Sequence, residues 1–222
     1  MSMWKECEGL QGELVKMRRE LHQIPEFGLD LPETQKYVTD KLDELGIPYK
    51  CSGTDSSIIA EIKGGLPGKT VALRADMDAL KIMEANDVDY KSKHEGLMHA
   101  CGHDNHIAML LGGIRLLMAQ KEQLTGNVKI IFQAAEESCH GAQYYVDHGF
   151  LDGVDAIYGT HIWGDLDAPY MNFEAGPRMA SCDNFRIEVE GKSAHGSTPH
   201  QGVDAILAAA HIITEIQAVV SR

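Results

Sequence analysis

The chain has 222 residues and sets 33 Asp and Glu against 20 Lys and Arg, a formal net charge of −13 with histidine neutral. A field of that sign repels phosphate backbones, and no Lys/Arg cluster opposes it locally, which argues against nucleic acid as a partner. With 44% hydrophobic residues the chain is rich enough for a sizeable core, yet no run approaches the roughly 18 apolar residues of a membrane span.

The opening stretch MSMWKECEGLQGELVKMRRELHQI repeats apolar residues at helical spacing among charges. It lacks the unbroken apolar centre of a signal peptide and predicts an amphipathic helix that stops near Pro25. Five cysteines (Cys7, Cys51, Cys101, Cys139 and Cys182), an odd number at no framework spacing, fit a reducing compartment, so a soluble, cytoplasmic protein is expected. A second helix is expected from about Pro32 to Leu45, closed by Gly46. Strands are expected at SIIAEIKG (57–64), KTVALRAD (69–76), GNVKIIFQAA (126–135) and VDAIYGTHI (154–162). The run IAMLLGGIRLLMAQ, between the second and third of these, is apolar on most faces and reads as a buried helix. The alternation predicts an α/β fold: a mostly parallel mixed sheet flanked by helices.

After Gly176 the texture changes. In CDNFRIEVEGKSAH, Phe185, Ile187 and Val189 alternate with Arg186, Glu188 and Glu190, which predicts a strand with one solvated face. GVDAILAAAHIITEIQAVVSR then predicts a helix running to the last residue. A strand and one helix bury no core by themselves. The expected organisation is therefore 1–178 as the N-terminal part of one domain and 179–222 as the start of a second α+β unit, cut off partway.

Four polar clusters fall at the C-terminal ends of the predicted strands: RADMDA (74–79), HACGHDNH (99–106), QAAEES (133–138) and GTHIW (159–163). In an open α/β sheet the crevice beyond those ends is where ligands bind, so the clusters converge on one place. Cys101 and His103, two apart in an extended segment, point to one side and can reach one ion, with Gly102 between them removing a Cβ; a thiolate and an imidazole suit zinc or a similar first-row metal. Two other readings stand beside this one: a buried free cysteine next to an exposed histidine, and a thiol nucleophile with a histidine base, although i, i+2 neighbours rarely attain that geometry. Glu136 and Glu137 are either a solvated acidic turn or a pair with divided labour, one ligating a cation and the other holding a proton from water. His161 is either structural or a further donor. Asp76 and Asp78 are candidates to accept the second N–H of a metal-bound imidazole. His94, His99, His106, His140 and Cys139 are left outside the ligand set, since a first shell holds only about four or five donors. His195, in a Gly- and Pro-broken loop, is a surface histidine or a donor to an oxyanion.

Taken in order, RRELHQIPEFGLDLPET, ALRADMDAL, HACGHDNHIAMLLG, FQAAEES, GTHIW and GKSAHGSTPHQGVDAI resemble the zinc-peptidase family of aminoacylases and carboxypeptidases. Within it they resemble the cysteine-containing amidohydrolase branch, which holds N-acyl-amino-acid amidohydrolases, hippurate hydrolases and indoleacetyl-amino-acid hydrolases. The resemblance implies a zinc-exopeptidase-like fold and a site for two divalent ions, Zn, Mn, Ni or Co, bridged by Cys101 and further held by His103, Glu137 and His161. It implies Glu136 as general base and acid in cleaving the amide of an N-acyl amino acid to a carboxylic acid and a free amino acid. The residues from 179 on resemble the start of an inserted lid that mediates homodimerisation, in which His195 reaches the active site of a second copy, or of its own chain after closure. Two departures accompany the resemblance: the family's last histidine ligand lies in a C-terminal part that these 222 residues do not include, and Gly164 stands where the family commonly has proline. The competing expectations are a non-catalytic fragment or binding relative with an incomplete metal site, and a thiol hydrolase.

Overall fold

The computed structural model describes residues 3–138, 140–180 and 185–219, so Cys139 and Cys182 lie outside the described residues. They divide into two compact units, Met1–Phe173 and Glu174–Arg222.

The first unit opens with helix α1 (Met3–His22) and helix α2 (Pro32–Glu44). Leu10, Leu14, Met17 and Leu21 recur at helical spacing along α1, and Leu10, Met17 and Leu21 are buried. In α2 the buried face is Thr34, Val38 and Leu42. Pro32 occupies its first turn, and its N-cap Leu31 offers no side-chain acceptor. The buried Glu26 carboxylate takes that role from outside the helix, accepting from the N–H groups of Glu33 (3.2 Å) and Thr34 (2.8 Å).

Five strands follow: β1 (Tyr49–Cys51), β2 (Ile58–Lys63), β3 (Leu66–Asp76), β4 (Thr125–Gln133) and β5 (Ala156–Gly159), in the spatial order β1-β2-β4-β3-β5. β2 runs antiparallel to β1 and β4, whereas β3 runs parallel to both β4 and β5. Helix α3 (His103–Ala119) connects β3 to β4, and the short helix α4 (Gly141–Asp147) connects β4 to β5. The result is the α/β architecture expected, with β1 and α4 as two short elements the sequence pattern does not announce.

Strand alternation sorts the sheet's two faces. Ile58, Ala60, Ile62, Val128, Ile130, Phe132 and Ala75 pack with Leu21, Val38, Leu42, Ile107, Leu111 and Ile114 in the main core between sheet and helices α1 to α3. The opposite face carries a smaller cluster of Ala72, Ile131 and Tyr145 with Phe150, Leu151 and Val154. Tyr145 of α4 is anchored there by its hydroxyl, which donates to the Phe132 carbonyl at 2.8 Å.

In the second unit the structure departs from the sequence expectation. Residues 185–190 form no strand, and the pairing there is one isolated bridge, Lys192 to Val203. A strand exists only against a partner, and the described residues of this unit supply none; Phe185 (71%) and Ile187 (50%) stay exposed. Helix α5 (Ala205–Ile216) begins where Asp204 caps it, Oδ1 accepting from the Leu207 N–H at 3.0 Å, and stops before the chain end. Val219, β-branched and a poor helix former, follows its last turn. No helix among the described residues is long and apolar enough to cross a membrane.

Ile130, fully buried at the centre of β4, and Ile157, 55% exposed on β5, should behave differently when truncated. Ile130→Ala is expected to lower unfolding free energy by about 2–5 kcal/mol, and Ile157→Ala by under about 1 kcal/mol, read from denaturant midpoints.

Candidate metal centre

Because β3, β4 and β5 are parallel, their C-terminal ends emerge at one edge, with Asp76 opposite Gln133 and Arg74 opposite Gly159. Asp76 ends β3 and Asp78 follows two residues later. The fully buried Asp78 carboxylate accepts from the Glu136 N–H through Oδ1 and from the Glu137 N–H through Oδ2, each at 3.0 Å. It thereby fixes the turn after β4, and with it the two glutamates. Asp76 accepts from His106 Nδ1 through Oδ1 and from the Arg74 guanidinium through Oδ2, both at 2.6 Å.

Cys101 and His103 do not sit in an extended segment. His103 is the first residue of α3, and Gly102 before it has φ 95°, a left-handed conformation that L side chains resist. A Cβ on Gly102 would also fall 2.2 Å from Ile162 Cδ1. The glycine therefore lets the turn bend and lets the segment after β5 close onto it. The cluster HACGHDNH accordingly meets the strand exits as a helix N-terminus rather than as a strand end of its own.

That closure brings Cys101 Sγ to 3.4 Å from His161 Nε2. His161 Nδ1 contacts the Ile162 carbonyl, an acceptor only, so the proton sits on Nδ1 and Nε2 presents its lone pair to the site. His103 is fully buried, and neither ring nitrogen has a hydrogen-bond partner; buried Glu137 Oε1 has none either. Around His103 stand Asp78 Oδ1 at 3.5 Å, Asp76 Oδ2 and Glu137 Oε1 at 3.7 Å, and Glu136 Oε2 at 3.9 Å. These separations exceed hydrogen bonds. The two separations of 3.7 Å, both from Nε2, match donors sharing a cation: bonds of about 2.0–2.3 Å at tetrahedral angles hold ligand atoms roughly 3.3–3.8 Å apart. Among the described residues, three trios each bring one donor atom per residue within 4.8 Å of one another: Cys101, His103 and His161; His103, Glu136 and Glu137; and Asp76, His103 and His106. The orphaned nitrogens and the N, O and S donor types fit divalent first-row metals.

The electrostatics point the same way. Burial alone would depress the His103 pKa, yet Asp78, Cys101 and Asp76 drive it up to about 11. A proton there answers a negative field that a cation would answer equally. Burial raises the Glu137 carboxyl, with His103 and Cys101 pulling the other way. Burial also opposes ionisation of Asp76, but its bond from His106 and the charges of His103 and Arg74 hold it well below the carboxylate range.

His106, expected outside the ligand set, braces the candidate site. Its Nε2 accepts from the Ile162 N–H at 3.0 Å while Nδ1 donates to Asp76, so it ties the segment bearing His161 to the exit of β3. Its ring lies 4.7 Å from that of His161. The i, i+3 spacing from His103 on one helix face was the available signal. His94 instead binds the Pro25 carbonyl at 2.8 Å. His99 is fully buried with neither nitrogen partnered, and burial pushes its pKa down to about 4, so it is neutral. His195 lies in the second unit, where Nδ1 accepts from the Ser197 N–H at 3.1 Å.

Residues 72–221 match the sequence profile of Peptidase family M20/M25/M40. The chain belongs to that family. Among its M20/M25/M40 relatives, the N-acetyl-L-cysteine deacetylase of Bacillus subtilis (strain 168) is 42% identical over 213 residues, covering 96% of this chain and 51% of the relative. The N-acyl-L-amino acid amidohydrolase of Geobacillus stearothermophilus is 41% identical over 211 residues, covering 95% of this chain and 57% of its own length. The crystal structure of a dinuclear metal binding M20 peptidase of Bacillus subtilis superposes with a TM-score of 0.69 at 41% identity, over 72% of this chain and 45% of that one. The chain thus spans about half the length of the curated relatives it matches.

Asp76 supplies a pH test of the candidate site's framework. Its folded pKa lies below the unfolded value of about 4, so its contribution is present above that pH and is lost as pH falls toward the folded value. Asp76→Asn should be less stable than wild type at pH 7 and should show a shallower loss of stability between about pH 5 and pH 2, measured by denaturant unfolding.

Proposed function

We propose that this chain carries the metal centre of a binuclear, metal-dependent amidohydrolase that cleaves N-acyl amino acids to a carboxylic acid and a free amino acid. The observation that carries the reading is His103, buried with two unpartnered nitrogens among four carboxylates and beside the Cys101–His161 pair. The names of the deacetylase and amidohydrolase relatives support the substrate class.

In this reading Cys101, His103, Glu137 and His161 would hold two divalent ions, Zn, Mn, Ni or Co. When bound, such ions acidify a water and polarise the amide carbonyl. Glu136 is the proton carrier. Its backbone N–H is pinned by Asp78, while its side chain remains 40% exposed at the edge where the substrate approaches. From there the carboxylate takes a proton from the attacking water and returns it to the departing amine. Asp78 and Asp76 serve orientation: each carboxylate accepts two hydrogen bonds from the chain, and both flank the His103 ring.

His195 is the oxyanion donor. Since its Nδ1 accepts from the Ser197 N–H, the ring proton resides on Nε2, the nitrogen left to donate to a carbonyl oxygen. The unit bearing His195 acts as lid and homodimer contact, and the protein works in the cytoplasm. The competing reading, a non-catalytic relative with an incomplete site, predicts at most one metal per chain and no turnover.

With the metal-loaded chain and an N-acetyl amino acid as substrate, Glu136→Ala should cut kcat/KM by about 10²–10⁴-fold while elemental analysis shows the same two metals per chain. Wild-type turnover in that variant would remove Glu136 from its role, and activity that survives chelation but not alkylation would identify a thiol hydrolase instead. His195→Ala should lower kcat by about 10²–10³-fold with little change in metal content.

A further inference from the structure

Behind the ligand turn lies a closed polar cluster that the proposed reaction does not use. Helix α3 opens at His103 without a side-chain N-cap, so no local cap fixes how its first turn is seated. Asp104, the next residue and fully buried, is tied instead to α1: its Oδ2 lies 2.6 Å from His22 Nδ1 and 2.9 Å from Arg18 Nε. Its Oδ1 accepts from the Asn105 N–H at 2.9 Å, inside the same turn. His22 in turn places Nε2 3.2 Å from Glu84 Oε1. Glu84 is held by the Ser92 N–H at 2.7 Å and the Asn86 amide at 3.2 Å.

Both nitrogens of His22 therefore face carboxylate oxygens, which only accept, so the ring is an imidazolium with both N–H groups in use. Arg18 and His22 balance Asp104 and Glu84, charge for charge. Burying such an array costs desolvation that largely offsets its attraction, so it is a weak source of stability. It does impose a single geometry, because each member is fixed by at least one other and the array joins three separate segments: α1, the loop holding Glu84, and the first turn of α3.

We propose that Arg18, His22 and Glu84 are positioning residues which, through Asp104, seat the first turn of α3 and so aim Cys101 and His103 at a shared divalent cation. This rests on the metal reading of Cys101 and His103 given above. Outer partners of this kind typically change metal affinity 10–100-fold.

The test is cobalt(II) titration of the whole chain, following the thiolate-to-metal charge-transfer band and the visible ligand-field bands. His22→Gln is expected to bind cobalt about 10–100-fold more weakly with a shifted charge-transfer band, and Glu84→Gln to move both readouts in the same direction. Ile114→Val, a buried change on α3 outside the cluster, should keep wild-type affinity and spectrum. If His22→Gln does not fold, Glu84→Gln decides. Wild-type affinity and spectrum in the soluble cluster variants would overturn the proposal. So would weakening of all three variants in proportion to their lost thermal stability. Cys101→Ser separates the two levels: if it retains wild-type affinity, the metal reading itself is wrong, whereas its loss alongside unchanged cluster variants rejects only the positioning role.

Discussion

When β3 pairs in parallel with β4 on one side and β5 on the other, all three strands leave the sheet at a single edge, and everything chemical in the first unit follows from that shared exit. Asp76 and Asp78 leave from β3, Glu136 and Glu137 from beyond β4, and His161 from beyond β5. An antiparallel β3 would send the two aspartates to the opposite edge and leave the glutamates without the carboxylate that pins them. The parallel arrangement in turn needs a crossover, and α3 is that crossover. Its N-terminus is delivered to the same edge, which is how Cys101 and His103 join residues 23 to 60 positions away.

The collected groups leave a shortage of positive charge. Four carboxylates surround one buried imidazole. Two of them, Asp76 and Asp78, are already occupied with Arg74, His106 and two backbone N–H groups. The rest of the demand falls on His103, whose nitrogens find no partner in the chain. Structure-wide, buried polar atoms are almost always satisfied, so orphans of this kind mark a place where something other than the chain completes the bonding. The restraint around that place is unusually dense: Asp78 holds the glutamates, His106 holds the segment bearing His161, and Asp104 holds the first turn of α3.

Much of this was legible in the chain. Short apolar runs located β2, β3, β4 and β5, helical spacing located α1, Pro32 and Gly46 bounded α2, and a long apolar run located α3; all of these but the exposed β5 bury a face in the core. The motif order identified the family, and the clusters at 74–79, 99–106, 133–138 and 159–163 were read as convergent. Less legible were elements whose existence depends on a neighbour. The three-residue β1 forms only by pairing with β2. The alternating run at 185–190 has the pattern of a strand but no partner among the described residues, and it stays irregular.

Sequence by itself determined which donors this protein owns and roughly where along the sheet they would appear, since local spacing and polarity fix those. It could not say what holds them. His106 reads as a bystander beside Cys101 and His103 and Asp104 carries no signal at all, because their partners Asp76, His22 and Arg18 are 30 to 86 residues away. Gly102 read as a small residue making room on a strand, when it is a left-handed hinge against Ile162. Only the tertiary structure decided these roles, because hydrogen bonds and charge contacts act over a few ångströms of space and are indifferent to distance along the chain.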